Sequence, residues 1–143
     1  WGRVPPAGPQ EEARKVSAAA QSARIRMRIP TNTTIVGLGA DARNIYVTDD
    51  KHAVSALDKA GGGSLWRQDK LSGRGVTRPL ALGRYVIVGD FQGFVHLLSR
   101  DDGSFVGRMA TDGSAIAAAP VALGASSFVV QTRNGGVFAV STE

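Results

Sequence analysis

Cysteine is absent from all 143 residues, which excludes disulfides, thiolate metal sites and thiol catalysis. Histidine is scarce, with only His52 and His96. No apolar run approaches the ~18–20 residues that a membrane-crossing helix needs. A directed excess of charge is missing as well. The formal net charge is +5, but residues 1–30 carry six cations (Arg3, Arg14, Lys15, Arg24, Arg26, Arg28) against Glu11 and Glu12, which is +4. The remaining residues hold eleven cations and ten anions, or +1, so no basic face for nucleic acid runs along them.

What is present is a repeat. Ile45-Tyr46-Val47-Thr48-Asp49-Asp50, Ala53 to Asp58 and Gly62-Gly63-Ser64-Leu65-Trp66 return 41 residues later as Val86 to Phe91, Phe94 to Ser99 and Gly103 to Gly107. Phe128-Val129-Val130-Gln131 and Gly135 to Val140 begin a third copy, and Pro79-Leu80-Ala81-Leu82-Gly83 recurs as Pro120-Val121-Ala122-Leu123-Gly124. Short strands at a period of about 40–50 residues indicate a β-propeller or a related array. The expected fold is all-β: about two and a half four-stranded antiparallel blades, over residues 34–74, 75–115 and 116–143. A closed ring needs roughly 4–8 blades. The chain also starts at Trp1 with no initiator Met or leader, so it is expected to be the C-terminal piece of a longer protein. Glu143 is then expected to be a true C-terminus, with the last blade's fourth strand supplied from the missing N-terminal region.

Residues 1–33 form a divergent head outside the repeat. Pro5, Pro6 and Pro9 forbid regular structure at its start. The Ala-rich segment Glu11 to Arg24 places acids first and bases last, as a helix dipole favours, but offers almost nothing to dock on a core. A frayed helix or disordered arm is expected there. Beyond Ile35 the turns are marked by Asp90-Phe91-Gln92-Gly93, Asp101-Asp102-Gly103 and Asn134-Gly135, where Gly supplies positive φ. Between the first two turns, Tyr85–Gly89 and Phe94–Ser99 are predicted to be adjacent strands.

Ala56-Leu57-Asp58, the Gly61-Gly62-Gly63 turn and Trp66 four residues after Gly62 resemble the repeat of quinoprotein-like propellers. There a small residue admits the neighbouring blade, the Asp accepts turn N–H groups, and the Trp covers apolar surface between blades. The second copy keeps only the turn Gly103, with Leu97, Ser99 and Gly107 at the other places. Over residues 35–143, Asn44 to Asp49, Trp66, Val88 to His96, Asp102 to Val106 and Asn134 to Val140 follow one another as in the C-terminal end of the BamB family of outer-membrane assembly lipoproteins.

That resemblance implies an eight-bladed propeller held at the periplasmic face of the Gram-negative outer membrane by a lipidated N-terminal Cys that this chain lacks. It implies a non-enzymatic scaffold of the barrel assembly complex. The implied partners are the POTRA domains of a BamA-like barrel-inserting subunit, with nascent outer-membrane proteins as a second class. Partner-binding residues are not carried over. The alternative is a fragment of a pyrroloquinoline-quinone-dependent dehydrogenase, which shares the repeat type. Such enzymes use a vicinal disulfide, impossible here, and acidic calcium ligands.

No catalytic, cofactor or metal site is expected. His96 lies mid-strand and reads as a satisfied core histidine, and His52 as a solvated turn residue. Two histidines without a clustered acid do not make a zinc site. Asp49-Asp50 and Asp101-Asp102 suit turns that bond their own backbone rather than calcium loops. Gly61-Gly62-Gly63 lacks the Lys-Ser/Thr of a phosphate loop, and no Ser occupies a Gly-x-Ser-x-Gly elbow.

Overall fold

The computed structural model describes residues 22–143. The predicted Ala-rich helix or arm falls almost wholly outside these residues. From Ile35 onward the chain forms eleven strands and three antiparallel sheets. The first sheet joins β1 (Ile35–Ala40), β2 (Asn44–Asp49), β3 (Val54–Asp58) and β4 (Ser64–Gln68) in chain order. The second joins β5 (Leu80–Leu82), β6 (Tyr85–Gly89), β7 (Phe94–Ser99) and β8 (Phe105–Ala110), and the third β9 (Val121–Ala122), β10 (Ser127–Gln131) and β11 (Val137–Ser141). The fold is a partial β-propeller, two blades of four strands and one of three. Strands β6 and β7 have the predicted bounds.

Each blade is a meander because its strands are short, β-branched or aromatic, and separated by turns that Asp and Gly close. The innermost strands β1, β5 and β9 approach one another in turn, as they must around a common axis. That approach is close: a Cβ at Gly37 would lie 2.8 Å from the Arg78 Cα.

Two cores fill the two seams. Period-two alternation directs Val86, Val88 and Leu98 toward the first blade, where Tyr46, Val54, Ala56, Trp66, Leu71 and Val76 meet them. Ile87, Val95 and Leu97 point the other way, onto Ile116, Phe128 and Val130. Side chains that face neither seam remain open, among them Val121, Leu123 and Val137.

A bulge recurs at the same repeat position. Ala56 pairs with Trp66 but Leu57 pairs with Ser64, which leaves Leu65 as the extra residue. Leu97 pairs with Gly107 and Leu98 with Phe105, which does the same to Val106. The extra residue turns the outer strand locally and re-aims the side chain that follows it.

Candidate functional site

Three equivalent hairpins orient the polar groups of the seams. Asp49, Asp90 and Thr132 each donate their N–H to the carbonyl four residues on, at 3.0, 3.0 and 2.9 Å. Their side chains accept in return. Asp49 Oδ1 takes the N–H groups of Lys51 and Ala53, and Asp90 Oδ1 those of Gln92 and Phe94, all within 3.0 Å. Thr132 Oγ1 accepts from Gly136 and donates to Asp112 Oδ2 at 2.6 Å, so a carboxylate is recruited from the preceding loop. Asp102 Oδ1 likewise accepts Ser104 N–H at 2.9 Å. One member of each Asp pair, Asp49 and Asp102, therefore has the turn-closing role that the sequence context suggested.

The third residue after each of these takes the left-handed conformation. It is Gly93 in the second hairpin and Gly135 in the third, but His52, with φ of 66°, in the first. His52 is half-buried rather than solvated. Its Nδ1 accepts the N–H of Gly75 at 3.1 Å, a contact that holds the strained backbone in place and ties the turn to the next blade's entry.

His96 is buried as predicted, yet only one of its nitrogens is satisfied. Nε2 lies 2.8 Å from Asp90 Oδ2, with Asp90 and His96 side chains 0% and 2% exposed. Arg74 Nη1 stands 3.6 Å from the same oxygen. A carboxylate only accepts, so the imidazole proton belongs on Nε2 and Nδ1 presents its lone pair. Nδ1 has no hydrogen-bond partner among the described residues. Burial holds the imidazole below its usual pKa of 6.5 against the upward pull of Asp90, and Arg74 and Arg108 add to the depression. The ring is therefore neutral at neutral pH.

This acidic partner was missed from sequence, although the signal existed. Val88 pairs with His96 across the β6–β7 hairpin. Residues 88 and 90 share a face, so the turn carries Asp90 back beside the ring.

His96 also lines a cavity of about 440 Å³. Lys70, Leu71 and Arg74, from the connection between β4 and β5, form one side, and Phe105 and Arg108 of β8 the other. No hydroxyl among the described residues is bonded to Nδ1 of the Asp90–His96 pair. That pair is a buried anchor with one unpartnered acceptor.

The predicted Trp66 is 8% exposed and does bridge blades. Its Nε1 donates to the Arg100 carbonyl oxygen at 2.8 Å, and Gln68 Nε2 to that of Gly103 at 2.9 Å. Its ring packs 6.2 Å from that of Tyr46. The Gly62 turn is tight as well, with Gly62 N–H 2.7 Å from the Asp58 carbonyl oxygen and Ala60 N–H 3.1 Å from Asp58 Oδ1. Gly61-Gly62-Gly63 thus closes the β3–β4 hairpin that delivers the tryptophan.

No family model matches the chain. It is 56% identical over 102 residues to the outer membrane protein assembly factor BamB of Burkholderia pseudomallei, covering 71% of this chain and 26% of that protein. The BamB of Pseudomonas aeruginosa is 38% identical over 73% of this chain and 27% of its own length. These blades belong to the BamB family. The crystal structure of BamB from Moraxella catarrhalis agrees, with a TM-score of 0.65 and 28% identity over 73% of this chain and 30% of that one. The chain spans about a quarter of the length of the curated BamB relatives it matches.

Proposed function

We propose that this chain is part of a non-enzymatic scaffold for outer-membrane barrel assembly. In this reading it works by protein–protein contact at the periplasmic face of the outer membrane. The observation that carries it is the 56% identity to a protein named as an outer membrane protein assembly factor. The geometry supports it: rigid blades with hydrogen-bonded turns present fixed loops and edges, and binding energy then concentrates in a few anchors. The partner in this reading is a BamA-like barrel-inserting subunit, reached while an N-terminal lipid holds the full-length protein to the membrane. Residues 34–74 and 75–115 would each act as one blade, and 116–143 as part of a third.

The test is to express the full-length protein in a Gram-negative strain deleted for its own BamB. Restored porin levels, with co-purification of the barrel-inserting subunit, are expected. Failure of both in a stably expressed protein would reject the reading. The dehydrogenase alternative has the shared repeat type in its favour. Calorimetric titration of the full-length protein with pyrroloquinoline quinone and Ca²⁺ separates the two, since tight stoichiometric binding would overturn the scaffold.

A further inference from the structure

We propose that the cavity between the first two blades is a docking pocket for a protein segment that presents a tyrosine flanked by acidic residues. The inference rests on the scaffold reading and names the kind of chain such a scaffold would hold. Its volume of about 440 Å³ falls within the range of ligand-sized pockets, roughly 300–1,000 Å³. The lining residues come from the β4–β5 connection that links the first two blades and from β7 and β8 of the second.

The chemistry of the lining selects the occupant. Leu71 and Phe105 offer apolar wall to a ring. The His96 imidazole is held by Asp90 at Nε2 and by edge contact with the Phe105 ring, centroids 6.1 Å apart. Its orientation is therefore set before anything enters. The nitrogen left over, Nδ1, is a buried acceptor without a donor among the described residues, an unfavourable state that an O–H entering the cavity relieves. A tyrosine brings that hydroxyl at the end of an apolar body, whereas a phenylalanine brings the body alone.

Charge selects the flanks. Lys70, Arg74 and Arg108 surround the pocket. Arg74 shares Asp90 with the histidine, and Arg108 lies 4.8 Å over the Phe94 ring. Neither Lys70 nor Arg108 has a carboxylate within ion-pair distance among the described residues. Acidic neighbours of the tyrosine would supply the missing counter-charge, and basic neighbours would be repelled.

The experiment titrates the full-length protein with acetyl-Asp-Asp-Tyr-Asp-Asp-amide while the ¹⁵N resonances of the His96 imidazole are followed by NMR. The expected result is saturable binding with a shift at Nδ1, about tenfold weaker for the Phe-centred peptide and undetectable for a Lys-flanked one. His96→Phe takes the hydrogen-bond donor from buried Asp90 Oδ2 and so puts folding itself at risk. The exposed pair Lys70→Glu with Arg108→Glu keeps the test decisive, and should abolish binding with the fold intact. Equal affinity for the Tyr and Phe peptides would overturn the proposal. So would binding that leaves His96 unmoved, or no binding at all, which would mean that Nδ1 bonds water only. Any of these results alongside intact co-purification of the barrel-inserting subunit would remove the pocket and leave the scaffold.

Discussion

Trp66 reaches across the first seam to donate its indole N–H to the Arg100 carbonyl oxygen, 2.8 Å away, so the outer strand of one blade is pinned to the β7–β8 turn of the next. The register bulge at Leu65 aims it there. Trp66→Ala removes both the ring and the bond, and should cost about 3–5 kcal/mol of stability. Trp66→Phe keeps most of the ring and should cost about 1–3 kcal/mol, the penalty of a stranded carbonyl. Urea unfolding of the full-length protein measures both. An equal, negligible loss for the two variants would show that the seam does not depend on this residue.

Gly103 carries a second consequence of that contact. Its φ is +75°, and a Cβ there would run into the Trp66 ring. Gly83 also has positive φ, +59°, but no described residue lies within 4 Å of its missing Cβ. Gly83→Ala should cost only the backbone penalty, about 1–2 kcal/mol. Gly103→Ala should cost that plus about 1–3 kcal/mol of overpacking. The difference between their urea midpoints isolates the collision, and identical midpoints would refute it.

At His52 the two obvious substitutions should diverge. Glycine accepts φ of 66° freely, which offsets the lost bond to Gly75 N–H, so His52→Gly should be close to neutral. Alanine keeps the strain and loses the bond, and His52→Ala should fall about 1–2 kcal/mol below the glycine variant. Thermal melts of the two proteins, compared directly, decide it.

Tyr46 predicts lability in alkali. Burial, then the 2.7 Å bond from its hydroxyl to Asp41 Oδ2, pushes the phenol from 10.0 up to about 12, although Asn44 and Arg100 pull the other way. The unfolded chain ionises near 10 while the folded one does not, so the unfolded state gains. Stability should therefore fall as pH rises from 10.0 to about 12. Tyr46→Phe should lack that part of the slope and be weaker at neutral pH by about 1–3 kcal/mol. Parallel slopes for the two proteins would count against the assignment.

On the acid side His96 sets the sign. Its folded pKa lies below 6.5 because burial outweighs Asp90, with Arg74 and Arg108 opposing the charge. The unfolded state takes up a proton first, so stability should drop as pH falls below about 6.5, until the folded imidazole protonates too. His96→Gln can still donate to Asp90 and should flatten this window. Urea midpoints between pH 7 and pH 5 test it, and an unchanged slope in the variant would move the effect elsewhere.

Strands β6 and β7 were legible because their signals are local. Tyr85–Gly89 and Phe94–Ser99 are β-branched or aromatic runs separated by Asp90 and a Gly93 that takes positive φ. The same holds for the turn roles of Asp49, Asp102 and Gly62. The weak second copy of the tryptophan motif was legible only as a gap: Gly107 stands where Trp66 would, with the Leu97 side chain 3.7 Å from its missing Cβ. His96 was half legible. Its burial followed from its apolar neighbours, but its bond to Asp90 required the hairpin register.

The sequence by itself determined the repeat, the strand and turn assignments and the all-β class, because each depends on residues a few positions apart and on a period that can be counted. Only the tertiary structure decided which groups meet across the seams. Trp66 finds Arg100 over 34 positions, and the β4–β5 connection comes to face β7 and β8 around His96. Those meetings depend on the twist of each sheet and on how closely β1 and β5 approach, and neither quantity is encoded in a short window.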